Sequence, residues 1–168
     1  YVLGDANEYY EYKVSYSNII PRVQNSHFEI NNDNNNIVVD DIVISSGVSS
    51  ITGIFGVIFD DTVDVSSFSD ISLSSFLSLT QESKINTSDI PTNTVTTLED
   101  VIILNTIYSD IDPKTISTID LNTSIYNVYI IVQDKKNNLS INQIFSKSTN
   151  LYGYDNFEKS FDNQYNFS

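Results

Sequence analysis

The chain reads as an all-β protein, a two-layer sandwich of about seven strands, and three observations predict it. Tyr126, Val128, Ile130 and Val132 alternate along one face of a run that ends in turn residues, the period-two pattern of a half-buried strand. The apolar residues are mainly Ile, Val, Leu, Phe and Tyr, while Ala occurs once, at Ala6; side chains of the first kind suit a pleated surface, and Ala is the best helix former. Short apolar runs then recur along the 168 residues at the close spacing of a sandwich.

The elements follow in order. Tyr10, Tyr12, Val14 and Tyr16 alternate with Glu11, Lys13 and Ser15 and predict a strand, and Pro21 ends it or begins a linker. Asn31 to Asn36 is polar without an apolar period and reads as an exposed loop. Ile37–Ile44 and Ile51–Phe59 are nearly continuous apolar runs, suited to strands buried on both sides or bulged near Gly53 or Gly56. Ser66 to Leu79 fits either a short helix with Phe68, Ile71, Ser75 and Leu79 on one face, or a kinked strand through Ile71, Leu73 and Phe76-Leu77. Glu82 to Thr94, containing Pro91, reads as a loop. Val95–Leu104, Thr115–Leu121, Ser124–Asp134 and Ile141–Ser146 complete the strands. Val128, Ile130, Val132, Ile54, Val57, Ile42 and Ile44 are the expected core.

Residues 121–140 run Leu-Asn-Thr-Ser-Ile-Tyr-Asn-Val-Tyr-Ile-Ile-Val-Gln-Asp-Lys-Lys-Asn-Asn-Leu-Ser. Asp134 and Asn137-Asn138 close the strand with turn chemistry, since Asn tolerates the left-handed conformation of a tight hairpin. The segment resembles the penultimate strand, turn and final strand of immunoglobulin-like and fibronectin type III-like domains. Leu121 stands one residue closer to Tyr126 than that pattern has it, and Asn137 occupies the turn position where Gly is usual. The resemblance covers about a fifth of the chain and implies a Greek-key sandwich, a structural or binding module, and no chemistry.

Three stretches are expected. Residues 1–21 are the end of a preceding domain or a first strand, and residues 22–148 are the sandwich. Residues 149–168 are a linker or the start of a following β domain. In the last, Asn156–Asp162 is similar to the opening of laminin-G or concanavalin-like jelly rolls, and a tail packed on its own sandwich is the other reading. Tyr1 and Ser168 look like cut ends of something longer.

The net charge is −14 with eight basic residues. Such a surface repels nucleic acid and anionic membranes, whose binding rests on Lys and Arg. With no Cys there is neither disulfide nor thiolate chemistry, and no apolar run reaches the length of a membrane span.

Candidate sites are few. Asp40-Asp41, Asp60-Asp61 with Asp64, and Asp110 with Asp112 could offer oxygens to calcium, but none has EF-hand spacing, and solvated turns are the plainer account. His27, the single histidine, reads as a surface loop residue, because no nucleophile motif accompanies it. Sequons occur at Asn86, Asn122, Asn138 and Asn166. Tyr9, Tyr10, Tyr152 and Tyr154 are the aromatics placed to stack on sugars or meet a partner. No catalytic, cofactor-binding or metal residue is nominated, and no cofactor is expected.

The excess of Asn, Ile, Asp, Ser and Tyr points to an AT-rich coding sequence. The resemblance, with this texture, implies a non-catalytic structural module of a larger virion protein: minor capsid, fibre or surface decoration. Its expected partners are other structural proteins of the same particle, in a homo- or hetero-oligomer, on the virion surface or outside the cell. The alternative is a secreted or cell-surface adhesin or carbohydrate-binding module, calcium-dependent or not. A non-catalytic accessory domain of a secreted glycoside hydrolase is a third class.

Overall fold

A computed structural model of the chain describes residues 2–3, 9–10, 21–45, 50–80, 82–90, 95–111 and 114–148. It is a mostly β protein, and among the described residues it has two packed sheets and one α-helix. The strands are β1 (Val2–Leu3), β2 (Tyr9–Tyr10), β3 (Val23–Asn31), β4 (Asn36–Ile44), β5 (Ile51–Asp60), β6 (Lys84–Ile90) and β7 (Thr96–Leu98). They continue with β8 (Ile102–Leu104), β9 (Thr106–Ile111), β10 (Lys114–Thr118), β11 (Tyr126–Asp134) and β12 (Leu139–Lys147). Helix α1 spans Asp70–Leu79.

Sheet I has six strands, ordered β10-β9-β5-β11-β12, with β6 also on β5. Sheet II has four, β3-β4-β7, with β8 also on β4. The pair β1–β2 stands as a separate two-stranded ribbon. Neighbours run antiparallel except β5 and β9, which are parallel through Ile58↔Ile107 and Phe59↔Tyr108.

The centre is β5 against β11, in register from Tyr126↔Asp60 to Asp134↔Ile51. One face of the pair, Ile54, Ile58, Tyr126, Val128, Ile130 and Val132, meets Ile37, Val39, Ile42 and Ile44 of β4 across the sandwich. The other face, Phe55, Val57, Phe59, Tyr129 and Ile131, lies under Leu73, Phe76 and Leu77 of α1. The alternation in β11 therefore marks the inner face as expected, but the strand is buried on both sides, because a helix roofs the face that a plain sandwich would leave wet. All seven expected core residues are buried, Val57 beneath the helix and the rest between the sheets.

The helix settles the ambiguity of Ser66–Leu79 with a different face. Ser69 caps it, its hydroxyl accepting from the Ser72 amide. The buried stripe is Leu73, Phe76, Leu77 and Thr80, the i, i+3, i+4, i+7 spacing of one helical side. Ile71 and Leu79, expected to face inward, are 81% and 66% exposed. Phe59 gathers this layer, its ring centroid 5.7 Å from those of Phe68, Phe76 and Tyr129 and 6.3 Å from that of Tyr108, within the range of favourable ring pairs.

Other elements also depart from expectation. Ile37–Ile44 is buried on one side only: Ile37, Val39, Ile42 and Ile44 point inward while Asp40 and Asp41 both lie outward. Asp41 has φ 47° and is the extra residue of a bulge, across which β4 changes neighbour from β8 to β7. Asn31–Asn36 is the turn of a β3–β4 hairpin. Glu82–Thr94, expected as a loop, contains β6, which adds to β5. Val95–Leu104 is two short strands, interrupted at Glu99–Val101. Thr106–Ile111 is a strand where none was expected, and the two sheets together hold ten strands among the described residues rather than about seven. Of the strand expected from Tyr10 to Tyr16, only the first residue is described; the expectations for residues 149–168 fall outside the described residues.

The packing makes one position exacting. A Cβ built on Gly56 would stand 2.7 Å from Ile102 Cγ2 and 2.8 Å from Leu104 Cδ2, both buried core residues. Gly56→Ala should therefore lower the unfolding free energy by about 1–3 kcal/mol through overpacking, read as a reduced urea midpoint. An unchanged midpoint would mean that β8 sits more loosely on β5 than described here.

Candidate interaction surface

The candidate site residues fall apart in space, and their side chains are engaged locally. Asp60 accepts from the Thr62 amide at 3.0 Å and its hydroxyl at 2.9 Å, and these bonds, the backbone one first, hold its carboxyl below the usual range. Asp61, hydrogen-bonded to Asp60, is pushed up. Asp64 caps the short 3-10 turn Val65–Ser67 and is lowered by the Ser66 hydroxyl and amide. Asp110 is exposed on β9, and the Asp112 side chain lies outside the description. Among the described residues no three His, Cys, Asp or Glu side chains gather as a metal would need.

His27 lies in strand β3, not in a loop, because the hairpin around Asn31–Asn36 carries it into register with Asp40. Its Nδ1 meets Asp40 Oδ1 at 2.6 Å. That bond, with the charges of Asp40, Asp41 and Glu29, raises the imidazole pKa above 6.5. Asn122 is an exposed turn residue, whereas Asn138 is half-buried and donates its Nδ2 to Asp134 Oδ2. Asn86 lies in β6 and Asn166 outside the described residues. Tyr9 and Tyr10 form β2, with nothing described of their side chains, and Tyr152 and Tyr154 lie outside.

The β11–β12 turn works as its sequence promised. Asp134 is fully buried and its Oδ1 accepts from the amides of Lys136 and Asn138, while Asn137 takes φ 63° where Gly is usual. Leu121 and Tyr126 are both buried in the inner core. In sandwiches of the immunoglobulin class a tyrosine so placed donates its hydroxyl to backbone a few residues upstream. Here Lys147 Nζ donates to the carbonyls of Leu121 and Asn122 and rests 5.5 Å over the Tyr126 ring. The Tyr126 hydroxyl is buried without a partner among the described residues, and burial raises its pKa.

What differs most around the molecule is its two lateral sides. On one, the sheets are laced together where β3 meets β12. Ser140 Oγ donates to the Pro21 carbonyl at 2.6 Å, the Val23 amide donates to Asn142 Oδ1 at 3.3 Å, and the rings of Phe28 and Phe145 lie 4.9 Å apart. A shallow groove of about 220 Å³ remains between these ties, and β12 is bulged at Ile144, a device that keeps foreign strands off an edge.

The opposite side carries β6, paired only with β5 among the described strands, together with β7, β8, β9 and β10. There β10 ends sheet I, paired only with β9 among the described strands. Thr115, Ile116, Ser117 and Thr118 are all exposed, on both faces of the strand. Ile116 is 52% exposed, and Val101 and Ile103 on the neighbouring edge of sheet II are 53% exposed each. Sequence reasoning missed this edge because Thr106–Ile111 was not recognised as the strand that carries it. The available signal was the Thr106-Ile107-Tyr108 run, three residues of high strand propensity.

No protein-family model, no curated protein and no solved structure matches this chain.

The His27–Asp40 contact predicts a pH dependence. A folded pKa raised above that of the unfolded chain gives stability that is complete below about pH 6.5 and lost as pH rises through the folded value. The melting temperature should therefore fall over that window relative to His27→Gln, and parallel curves for the two proteins would remove the contact from the account. Asp134→Ala should cost about 2–3 kcal/mol, since it strips a carboxylate from several donors, measured by urea unfolding.

Proposed function

We propose that this chain is a non-catalytic structural module of a larger assembly, a divergent immunoglobulin-like or fibronectin type III-like sandwich that joins neighbours through protein–protein contacts. The observation that carries the reading is the asymmetry of the two sides. One is tied shut across the sheets, while the other ends in a strand that stabilises no core of its own. Ordering a residue costs roughly 1–2 kcal/mol and a backbone hydrogen bond returns roughly 0.5–1.5 kcal/mol. With its side chains in water, β10 is thus near break-even alone, and a neighbour that covers it tips the balance.

The immunoglobulin-like reading draws support from the β11–β12 hairpin, with Leu121 and Tyr126 buried behind it. The parallel β5–β9 pairing and the roofing helix are departures that a divergent member has to accommodate. A minor capsid, fibre or surface-decoration role on a virion suits an acidic module with a rigid two-sided core. The calcium-dependent adhesin draws no comparable support, since Asp60 and Asp64 serve their own turns.

Cryo-electron microscopy of the native source material tests this reading. The expected result is a repeated position with the β10 side against a neighbour. A flexibly tethered domain with that side open and a sugar or cation in its loops would overturn it in favour of the adhesin.

A further inference from the structure

A groove remains between β3 and β12 once the ties across that side of the sandwich have been made. We infer that it binds a neutral sugar, one ring at a time. The site is independent of the assembly reading, since it lies on the side opposite β10.

The backbone builds the groove. The register of β3 against β4 shifts between Val23 and Asn25 and again between Asn25 and His27, and β12 is bulged at Ile144. Irregularities of this kind re-aim side chains and are frequent beside functional sites. Gln24, Asn25 and Ser26 line the groove from the first strand and Gln143 and Ile144 from the second, together with the half-buried Phe28. The Asn142 amide is spent on the frame. Its Oδ1 accepts from the Val23 amide, and its Nδ2 donates to the Ile130 carbonyl at 3.1 Å.

The remaining polar groups keep capacity for a ligand. Asn25 Oδ1 accepts from the Ser26 amide at 3.0 Å, which leaves Nδ2 to donate. Gln143 Nε2 donates to Asn127 Oδ1 at 3.2 Å, which leaves Oε1 to accept. The Gln24 side-chain amide and the Ser26 hydroxyl have no partner among the described residues. Donors and acceptors therefore stand together in one groove.

Charge and size then select the ligand. All eight lining residues are uncharged, on a chain of net charge −14. An ionic ligand would find no counter-charge in the lining, and an apolar one would cover the amides without pairing them. A sugar ring offers hydroxyls to the amides and a C–H face to Phe28 and Ile144, so it uses both kinds of surface. The volume of about 220 Å³ lies below the roughly 300–1,000 Å³ of drug-sized sites. It suits a single ring with the rest of the molecule in water.

The test titrates the isotope-labelled full chain with neutral monosaccharides (glucose, galactose, mannose and N-acetylglucosamine) and with anionic N-acetylneuraminic acid as the charged control. At least one neutral sugar should give saturable shifts centred on Gln24–Phe28 and Gln143–Ile144, the side-chain amides of Gln24 and Asn25 included. The anionic sugar should bind at least about tenfold more weakly. Gln24→Ala and Gln143→Ala, both at exposed positions, should each weaken binding about three- to tenfold through the loss of one hydrogen bond. The melting temperature should stay in place for both. Absence of saturable shifts, shifts centred elsewhere, binding unchanged by either substitution, or equal binding of the anionic sugar would overturn the inference. None of these results bears on the assembly reading, which is decided by the position of the β10 side in the native material.

Discussion

The burial of β5 and β11 on both faces is the constraint from which the rest of the architecture follows. Their side chains leave water on two sides at once, so two separate covers are needed. Sheet II supplies one, through the inward residues of β4, and α1 supplies the other, through Leu73, Phe76 and Leu77. Neither cover has a second apolar face of similar size. The outward side of β4 carries Asp40 and Asp41, and the outward side of α1 is dominated by serines. Among the described residues the layers therefore stop at three. The same pressure explains Gly56, where the chain has no room for even a methyl group beside Ile102 and Leu104.

A chain without cysteine, rich in Asn, Ser and Asp, joins its layers by letting short polar side chains stand in for backbone. Asn35, at φ 50° in the β3–β4 turn, accepts from the Leu121 amide and donates to the Ile119 carbonyl, so one amide side chain imitates a strand neighbour. Lys147 collects the carbonyls of the following turn, and Ser140 and Asn142 reach the segment that enters β3. Each bond is worth on the order of 1 kcal/mol. Their importance is positional, because they hold the irregular crossings to a core that hydrophobic burial alone would leave loosely aligned. The asparagine-rich turn, which reads as featureless polar loop, is one of these fasteners.

How much of this was legible follows from the range of each interaction. The β11–β12 hairpin was readable because alternation, Asp134 and the Asn137-Asn138 turn are local signals that agree. The core residues of β4 and β5 were readable from apolar content alone. The helix face was not, because Ile71 and Leu79 are as apolar as Leu73 and Leu77. Only the position of Phe55 and Phe59 decides which side is covered. Strand β6 was hidden by Asn, Thr and Ser, whose strand character here comes from pairing to β5, and the division between β7 and β8 falls at Glu99–Val101 inside a run that reads as one strand. For the same reason His27 read as a loop residue: its partner Asp40 is distant in sequence and close only through the hairpin.

The distribution of acid over the surface connects these points to function. With so few basic residues the chain has little opportunity for ion pairing, and His27–Asp40 is a short contact of that kind. Carboxylates left over face water, and they are spread over the surface: Asp33 in the β3–β4 turn, Asp41 on β4, Asp61 and Asp64 after β5, Glu99 and Asp100 between β7 and β8, and Asp120 beyond β10. Packing closes the β3–β12 side with side-chain bonds, while on the opposite side β6 and β10 each keep one partner strand among the described residues.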